Sequence, residues 1–211
     1  MKSYDCKENK YICPIKKDSL SIIDLGCGEG SHLSNISDML RFNYNKVVNN
    51  VGIDISKEGI FVAAKNYSDT IWAVGDLANP PFYDGQFDVI LNILSPSNYA
   101  EFNRLLKSDG LVVKIIPQSD YLKELREILF DEPEKQVYSN VETLKIFNEN
   151  FEIVNSSRLY YTQYLNNSAI QLLAKMTPLT WSTTEDKIKL LLERNSLEAT
   201  VDLHVLIGKK R

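Results

Sequence analysis

Apolar residues in this chain fall into short runs that alternate between two periods. The segments "SIIDL", "VGIDIS", "TIWAVGD", "FDVILNIL" and "LVVKIIP" are of strand length. The fourth is nearly continuously apolar, as a strand covered on both faces would be. Between these runs, Leu33, Ile36, Met39 and Leu40 recur at helical spacing, as do Ile60, Phe61, Ala64 and Tyr67. Tyr99, Phe102, Leu105 and Leu106 mark a third helix, ended by the Ser-Asp-Gly turn at 108–110, and "SDYLKELREILF" a fourth. Two prolines and Asp84-Gly85 make "LANPPFYDGQ" a loop. Strand, helix, strand, helix at this spacing predicts a parallel sheet with helices on both faces.

From Phe151 the pattern changes. "FEIVNSSRLYY" predicts a strand, and "NNSAIQLLAKM" and "TTEDKIKLLLERNS" predict two helices around Thr177-Pro178. "LEATVDLHVLIGKK" then alternates, with Leu197, Ala199, Val201, Leu203, Val205 and Ile207 on one face. Two late strands joined by a helical insertion (165–196) predict an antiparallel hairpin at the sheet edge. No repeat or low-complexity segment interrupts the chain. Residues 21–211 therefore read as one domain behind a short N-terminal segment, 1–20.

Composition changes this picture little. The chain is 44% hydrophobic and 25% charged, as ordinary globular proteins are. It has no run of about eighteen apolar residues, so no membrane span is expected. The N-terminus lacks the apolar segment of a signal peptide, and the expected location is the cytoplasm. Three cysteines are an odd, sparse set that does not suggest a disulfide framework. A net charge of −4 weighs against a surface built to coat nucleic acid. The lysines clustered at both ends read as solubilising.

The chemistry lies at the glycines. Gly26, Gly28 and Gly30 follow the first strand and precede the first helix. Without Cβ atoms they let the backbone turn sharply and admit a ligand, and the amides at the helix start are expected to face it. Their spacing is G-x-G-x-G, whereas dinucleotide sites use G-x-G-x-x-G. Asp24, directly ahead of the loop, would repel a pyrophosphate and attract a cation. The loop therefore reads as a site for S-adenosylmethionine, whose sulfonium and ammonium are positive, rather than for NAD or FAD. Asp54 ends the second strand, where it can accept from both ribose hydroxyls. Asp76 ends the third beside Leu77, where it can accept from the adenine amino group. Strand-end aspartates also cap helices, but three in succession behind this loop favour the cofactor. The candidate cofactor residues are Asp24, Gly26, Cys27, Gly28, Gly30, Asp54, Ile55, Asp76, Leu77 and Asn92. Cys27 reads as a small residue chosen for fit, and His204 as a surface residue. His32, one turn into the helix, could approach the cofactor.

"DLGCGEGSHL" resembles the first motif of class I S-adenosylmethionine-dependent methyltransferases. Downstream, "GIDISKEGIFVAAKNY", the "SP" after the fourth strand, "PQSDYLKELREILF" and "MTPLTW" narrow the resemblance. Together they resemble the bacterial large-subunit (23S) ribosomal RNA guanine-N1-methyltransferases, which include macrolide- and tylosin-resistance enzymes. The resemblance runs from Ser21 to the C-terminus. It implies a Rossmann-like α/β fold with a mostly parallel seven-stranded sheet, helices on both faces and a C-terminal antiparallel hairpin. It also implies S-adenosylmethionine as donor and ribosomal RNA as partner. That family carries an N-terminal zinc module with three cysteines and a histidine. Here "YDCKENKYICPIKK" offers Cys6 and Cys13 and no histidine, and two thiolates cannot close a four-ligand site. No metal is expected.

Methyl transfer is an in-line displacement that asks the protein for alignment and desolvation. The acceptor is expected outside the carboxyl end of the fourth strand, at "NILSPSN". Asn92, Ser95 and Pro96 are therefore the candidate methyl-transfer residues. A guanine N1 acceptor must lose a proton, to a carboxylate or a backbone carbonyl in reach. A splayed base could stack on Tyr121, Tyr160, Tyr161 or Trp181, the last in the insertion that could cover the pocket. Arg158 could meet a phosphate or a carboxylate. The leading reading is methylation of guanine N1 in ribosomal RNA. A small-molecule or peptide methyltransferase and a non-catalytic cofactor-binding protein remain open as alternatives.

Overall fold

The computed structural model describes residues 19–211; Cys6, Cys13 and the rest of 1–18 lie outside the described residues. The apolar runs form strands β1 (Leu20–Leu25), β2 (Val48–Asp54), β3 (Thr70–Val74), β4 (Phe87–Ile93) and β5 (Leu106–Pro117). Helices α1 (Ser31–Tyr44), α2 (Lys57–Asn66) and α3 (Tyr99–Leu105) connect them. Next come α4 (Lys123–Leu129), α5 (Pro133–Gln136) and α6 (Val141–Asn150), of which sequence patterning marked only α4. Strand β6 (Phe151–Asn166), α7 (Asn167–Met176), a 3-10 turn (Pro178–Ser182), α8 (Glu185–Leu192) and β7 (Ser196–Lys210) complete the chain.

The sheet order is β3-β2-β1-β4-β5-β7-β6, mostly parallel with antiparallel C-terminal strands, as expected. Register runs Asp24 beside Gly52 of β2 and Leu91 of β4, and Asn92 beside Lys114 of β5. Among the described residues no helix is long and apolar enough to cross a membrane. The described chain divides into two compact units. One comprises residues up to Ile115 with 146–155 and 206–211; the other comprises 116–145 and 156–205.

In the first unit, Ile22, Leu33, Val48 and Leu91 form a buried cluster on which Trp72 and Val113 pack. Here the expected turn at 108–110 is absent. Leu106 caps α3 by donating its amide to Phe102 O and enters β5 directly. Ser108–Gly110 instead lie in an irregularity between the pairs Phe87–Leu106 and Val89–Leu111. The buried side of α2 is also rotated from the one expected. Ile60 and Ala63 face inward, whereas Phe61 is 71% exposed and Ala64 is exposed. Gly59 sets that rotation, because a Cβ there would lie 2.9 Å from Gly28 O. In α1, Leu33 and Ser37 are buried and Met39 is exposed.

In the second unit, Leu125, Leu129, Ile170, Leu191 and Leu197 form a core between α4, α7, α8 and β7. The alternation expected in β7 breaks after Ala199, because Thr200 and Asp202 are buried polar residues with partners. Thr200 donates from its amide and hydroxyl to Glu124, and Asp202 accepts from Arg158 and from the Asp120 amide. Beyond them, within the first unit, Gly208 lies against Phe147 and Phe151.

Leu33 is fully buried under the β1–β2 surface, so Leu33→Ala should cost about 2–5 kcal/mol. Urea unfolding checks this, with an unchanged midpoint arguing against Leu33 as a core anchor.

Candidate active site

The cofactor and methyl-transfer candidates lie in the first unit, at the carboxyl ends of β1, β2, β3 and β4. Gly26, Gly28 and Gly30 take φ of 86°, 56° and 85°, a left-handed region that glycine enters without steric penalty. Two of the three also sit where a side chain has no room. A Cβ at Gly26 would approach Ser95 Oγ to 1.9 Å, and one at Gly30 would strike the Trp72 ring at 2.4 Å. At Gly28 a Cβ would meet nothing within 4 Å, so the crest of the loop borders open space. Gly52 of β2 makes the space for Trp72 beneath the loop, and its own Cβ would lie 2.2 Å from that ring. Neither Trp72 nor Gly52 was singled out from sequence. The only signal was a tryptophan and a glycine inside predicted strands.

Within the loop itself the amides of Gly26, Cys27, Gly28 and Gly30 are spent on the protein. Gly26 N and Cys27 N donate to Ile53 O, Gly30 N donates to Cys27 O, and Gly28 N donates to Asp54 Oδ2 at 2.8 Å. A phosphate cradle needs outward amides, and these four are turned inward. The physical reason is Asp54, whose carboxylate captures Gly28 N on one oxygen and Ser56 N (2.8 Å) on the other. A carboxylate offers about four lone-pair sites, so acceptor capacity for ribose hydroxyls remains. Ile55 beside it is exposed. Asp76 is exposed and accepts from Ala78 N at 2.8 Å, and Leu77 reaches toward Gly26.

Asp24 carries the electrostatics. It is 2% exposed and its Oδ1 has no hydrogen-bond partner. Burial, reinforced by the Asp54 carboxylate, pushes its pKa up to about 7. Cys27 is buried with its thiol raised by desolvation and by Asp24 and Asp54, so it stays protonated and unreactive. An orphaned buried carboxylate beside the loop suits a positively charged ligand. The residues present thus fit S-adenosylmethionine.

Across from the loop, Asn92 is fully buried. Its Nδ2 donates to Leu25 O (3.1 Å) and Pro96 O (3.0 Å), and its Oδ1 accepts from Lys114 Nζ and Ser97 Oγ. Its amide therefore holds the turn in place, with Ser95 against Gly26 and Pro96 exposed. His32 is exposed on α1.

The remaining candidates lie in the second unit. Arg158 pairs with Asp202 through both oxygens (2.7 and 2.9 Å) and lies 5.0 Å from the Tyr160 ring centre. Tyr121 packs on the unit's core, while Tyr160, Tyr161 and Trp181 are exposed. His204 is partly exposed and shares a hydrogen bond with the Ser156 hydroxyl at 2.7 Å.

A family model described as a methyltransferase domain matches residues 16–195. The chain belongs to that family. The methyltransferase is 47% identical over 194 residues to the Bacillus subtilis protein "Putative 23S rRNA (guanine-N(1)-)-methyltransferase YxjB", covering 92% of this chain and 68% of YxjB. It is 27% identical over 173 residues to the Streptomyces fradiae 23S rRNA (guanine(748)-N(1))-methyltransferase, covering 79% of this chain and 58% of that one. A solved SAM-dependent methyltransferase from Aquifex aeolicus shares the fold at a TM-score of 0.55 and 15% identity, over 92% of this chain and 84% of that one.

The pKa of Asp24 gives two pH dependences for the methyltransferase. A cationic ligand binds the ionised carboxylate, so S-adenosylmethionine affinity should weaken about tenfold from pH 8 to pH 6. Asp24→Asn should bind more weakly at pH 8 and lose the dependence, as calorimetry can read. In the ligand-free protein the folded pKa lies above the unfolded one. The stability contribution of Asp24 is then fully present below the unfolded value and is lost as pH rises through about 7. Asp24→Asn should therefore raise Tm at pH 8 and leave it nearly unchanged at pH 4.

Proposed function

We propose that this chain transfers the methyl group of S-adenosylmethionine to N1 of a guanine in large-subunit ribosomal RNA. The observation that carries the reading is the 47% identity to YxjB across 92% of the chain. Because the chain spans 68% and 58% of the two relatives described above, the substrate rests on likeness over part of their length.

The site's own residues support the chemistry. The bound donor supplies an electrophilic methyl on a sulfonium. Asp24 offers that cation a buried counter-charge, and Asp54 offers acceptors for hydroxyl groups. Ionised-group hydrogen bonds are worth roughly 1.5–3 kcal/mol each, so their geometry dominates donor affinity. The Leu94–Asn98 turn borders the glycine loop through Ser95, which is where an acceptor must arrive for in-line attack. Within that turn the Pro96 carbonyl already accepts from Asn92, and the Ser95 hydroxyl lies against Gly26. The turn thus shapes and desolvates the acceptor's position. The N1 proton then leaves to solvent water as charge develops, and a carbonyl of the turn can orient the N1–H by accepting its hydrogen bond beforehand.

Incubating the protein with S-adenosylmethionine and protein-free 23S ribosomal RNA should add the mass of one methyl group to a single guanine-containing fragment. Methylation of a peptide or small amine with no change in any RNA fragment would overturn the RNA acceptor and leave the donor site standing. Asp54→Ala should weaken donor binding by about tenfold or more; near-native affinity in calorimetry would sink the ribose assignment.

A further inference from the structure

Lys114 is the one charged residue in the apolar run Leu111–Pro117 of β5. It is 3% exposed and stands opposite Asn92 in the β4–β5 register. Its ammonium donates to Asn92 Oδ1 at 2.6 Å and to Ser97 Oγ. Both acceptors are neutral, and among the described residues no carboxylate pairs with the charge; burial draws its pKa down to about 8. A buried cation with neutral partners is an expensive way to fill a sheet interior, and an apolar residue of similar volume would often be as stable or more so. Packing does not account for it.

The groups it holds do. Asn92 is the penultimate residue of β4, and Ser97 lies in the turn that follows. That turn carries Leu94 at φ 51°, a left-handed conformation that costs a non-glycine residue energy and persists only where neighbours enforce it. Ser95, next along, touches Gly26 with no space to spare, and Leu94 N is tied to Ile115 O at 3.0 Å. The turn is therefore held from β5 at two successive residues. Lys114 grips it through side chains, and Ile115 through its carbonyl. We propose that Lys114 is a positioning residue for methyl transfer, acting through Asn92 and Ser97 to hold the Leu94–Asn98 turn against the glycine loop so that an acceptor meets the donor in line.

The inference rests on the reading of that turn as the acceptor side of the site. It separates two functions that the glycine loop alone would merge. Donor binding depends on Asp24, Asp54 and the loop, whose tie to Asn92 through Leu25 O does not need the ammonium. Acceptor alignment depends on the turn.

Lys114→Met keeps an unbranched apolar side chain as far as Cε and removes the ammonium with its donors and charge. The variant should keep or raise Tm and bind S-adenosylmethionine within about threefold of wild type, since its losses lie away from the donor contacts. Amide hydrogen exchange at 94–98 should speed up by about tenfold or more as the turn opens locally. On RNA, kcat should fall by about tenfold or more with little change in donor KM, the signature of lost alignment. Ser97→Ala, a smaller change that removes one of the two acceptors, should move the same readouts in the same direction and serves if Lys114→Met does not fold. Unchanged exchange and kcat would overturn the proposal. So would a fall in Tm, donor affinity and kcat together, which marks a merely structural lysine. If wild type leaves 23S RNA unmethylated, the guanine reading fails, and hydrogen exchange with donor affinity still decides the role of Lys114.

Discussion

Asn92 donates its amide to the carbonyls of Leu25 and Pro96 and accepts from Lys114 and Ser97, so one buried side chain binds the ends of β1 and β5 to the turn after β4. Leu25 is the last residue before the glycine loop, and Pro96 lies beside the residue that presses on Gly26. The relative placement of loop and turn therefore follows from four hydrogen bonds at one position. In this setting a polar group of the cluster left with no partner at all would cost about 1–3 kcal/mol. The arrangement is stiff for that reason. The Ser95 hydroxyl touching Gly26 is its steric expression.

Charge completes what the hydrogen bonds begin. The amides of Gly26, Cys27, Gly28 and Gly30 are turned onto Ile53 O, Cys27 O and Asp54, so none of these four is offered to a phosphate. Asp24 lies behind it with one oxygen unpartnered, and the neighbouring Asp54 disfavours ionisation further. Both features select against an anionic cofactor and for a cationic one. Sequence spacing and local charge had pointed the same way, and the buried Asp24 carries the charge argument.

The strands were legible because a parallel sheet covered on both faces needs continuous apolar runs, and few other structures produce five of them at this spacing. The glycine loop was legible for a similar reason, since strand, three glycines and helix leave little freedom. Rotation and phase were harder to read. The buried side of α2 depends on Gly59 meeting Gly28 O, a contact between residues far apart in sequence. The phase of β7 shifts because Thr200 and Asp202 find polar partners in Glu124 and Arg158, which periodicity cannot register. Arg158 itself, an apparent candidate for a ligand, is held by Asp202. Lys114 had a visible signal, a single charge within an apolar strand, but its meaning depended on knowing that Asn92 lies beside it.

Asp24 and Lys114 are buried charges of opposite sign on strands of one sheet, separated by β4, and they do not pair. If stability alone governed the sequence, apolar residues of similar volume at both positions would often be as stable or more so. Instead Asp24 is left without a cation, and Lys114 is given two neutral acceptors. Each stays available for work at its own side of the site, one for a positive donor and one for the turn that meets the acceptor. Keeping them apart lowers the stability of the ligand-free fold, as functional sites commonly do. It also means that a cationic ligand brings the counter-charge Asp24 lacks, so that binding and ionisation reinforce each other in the same step.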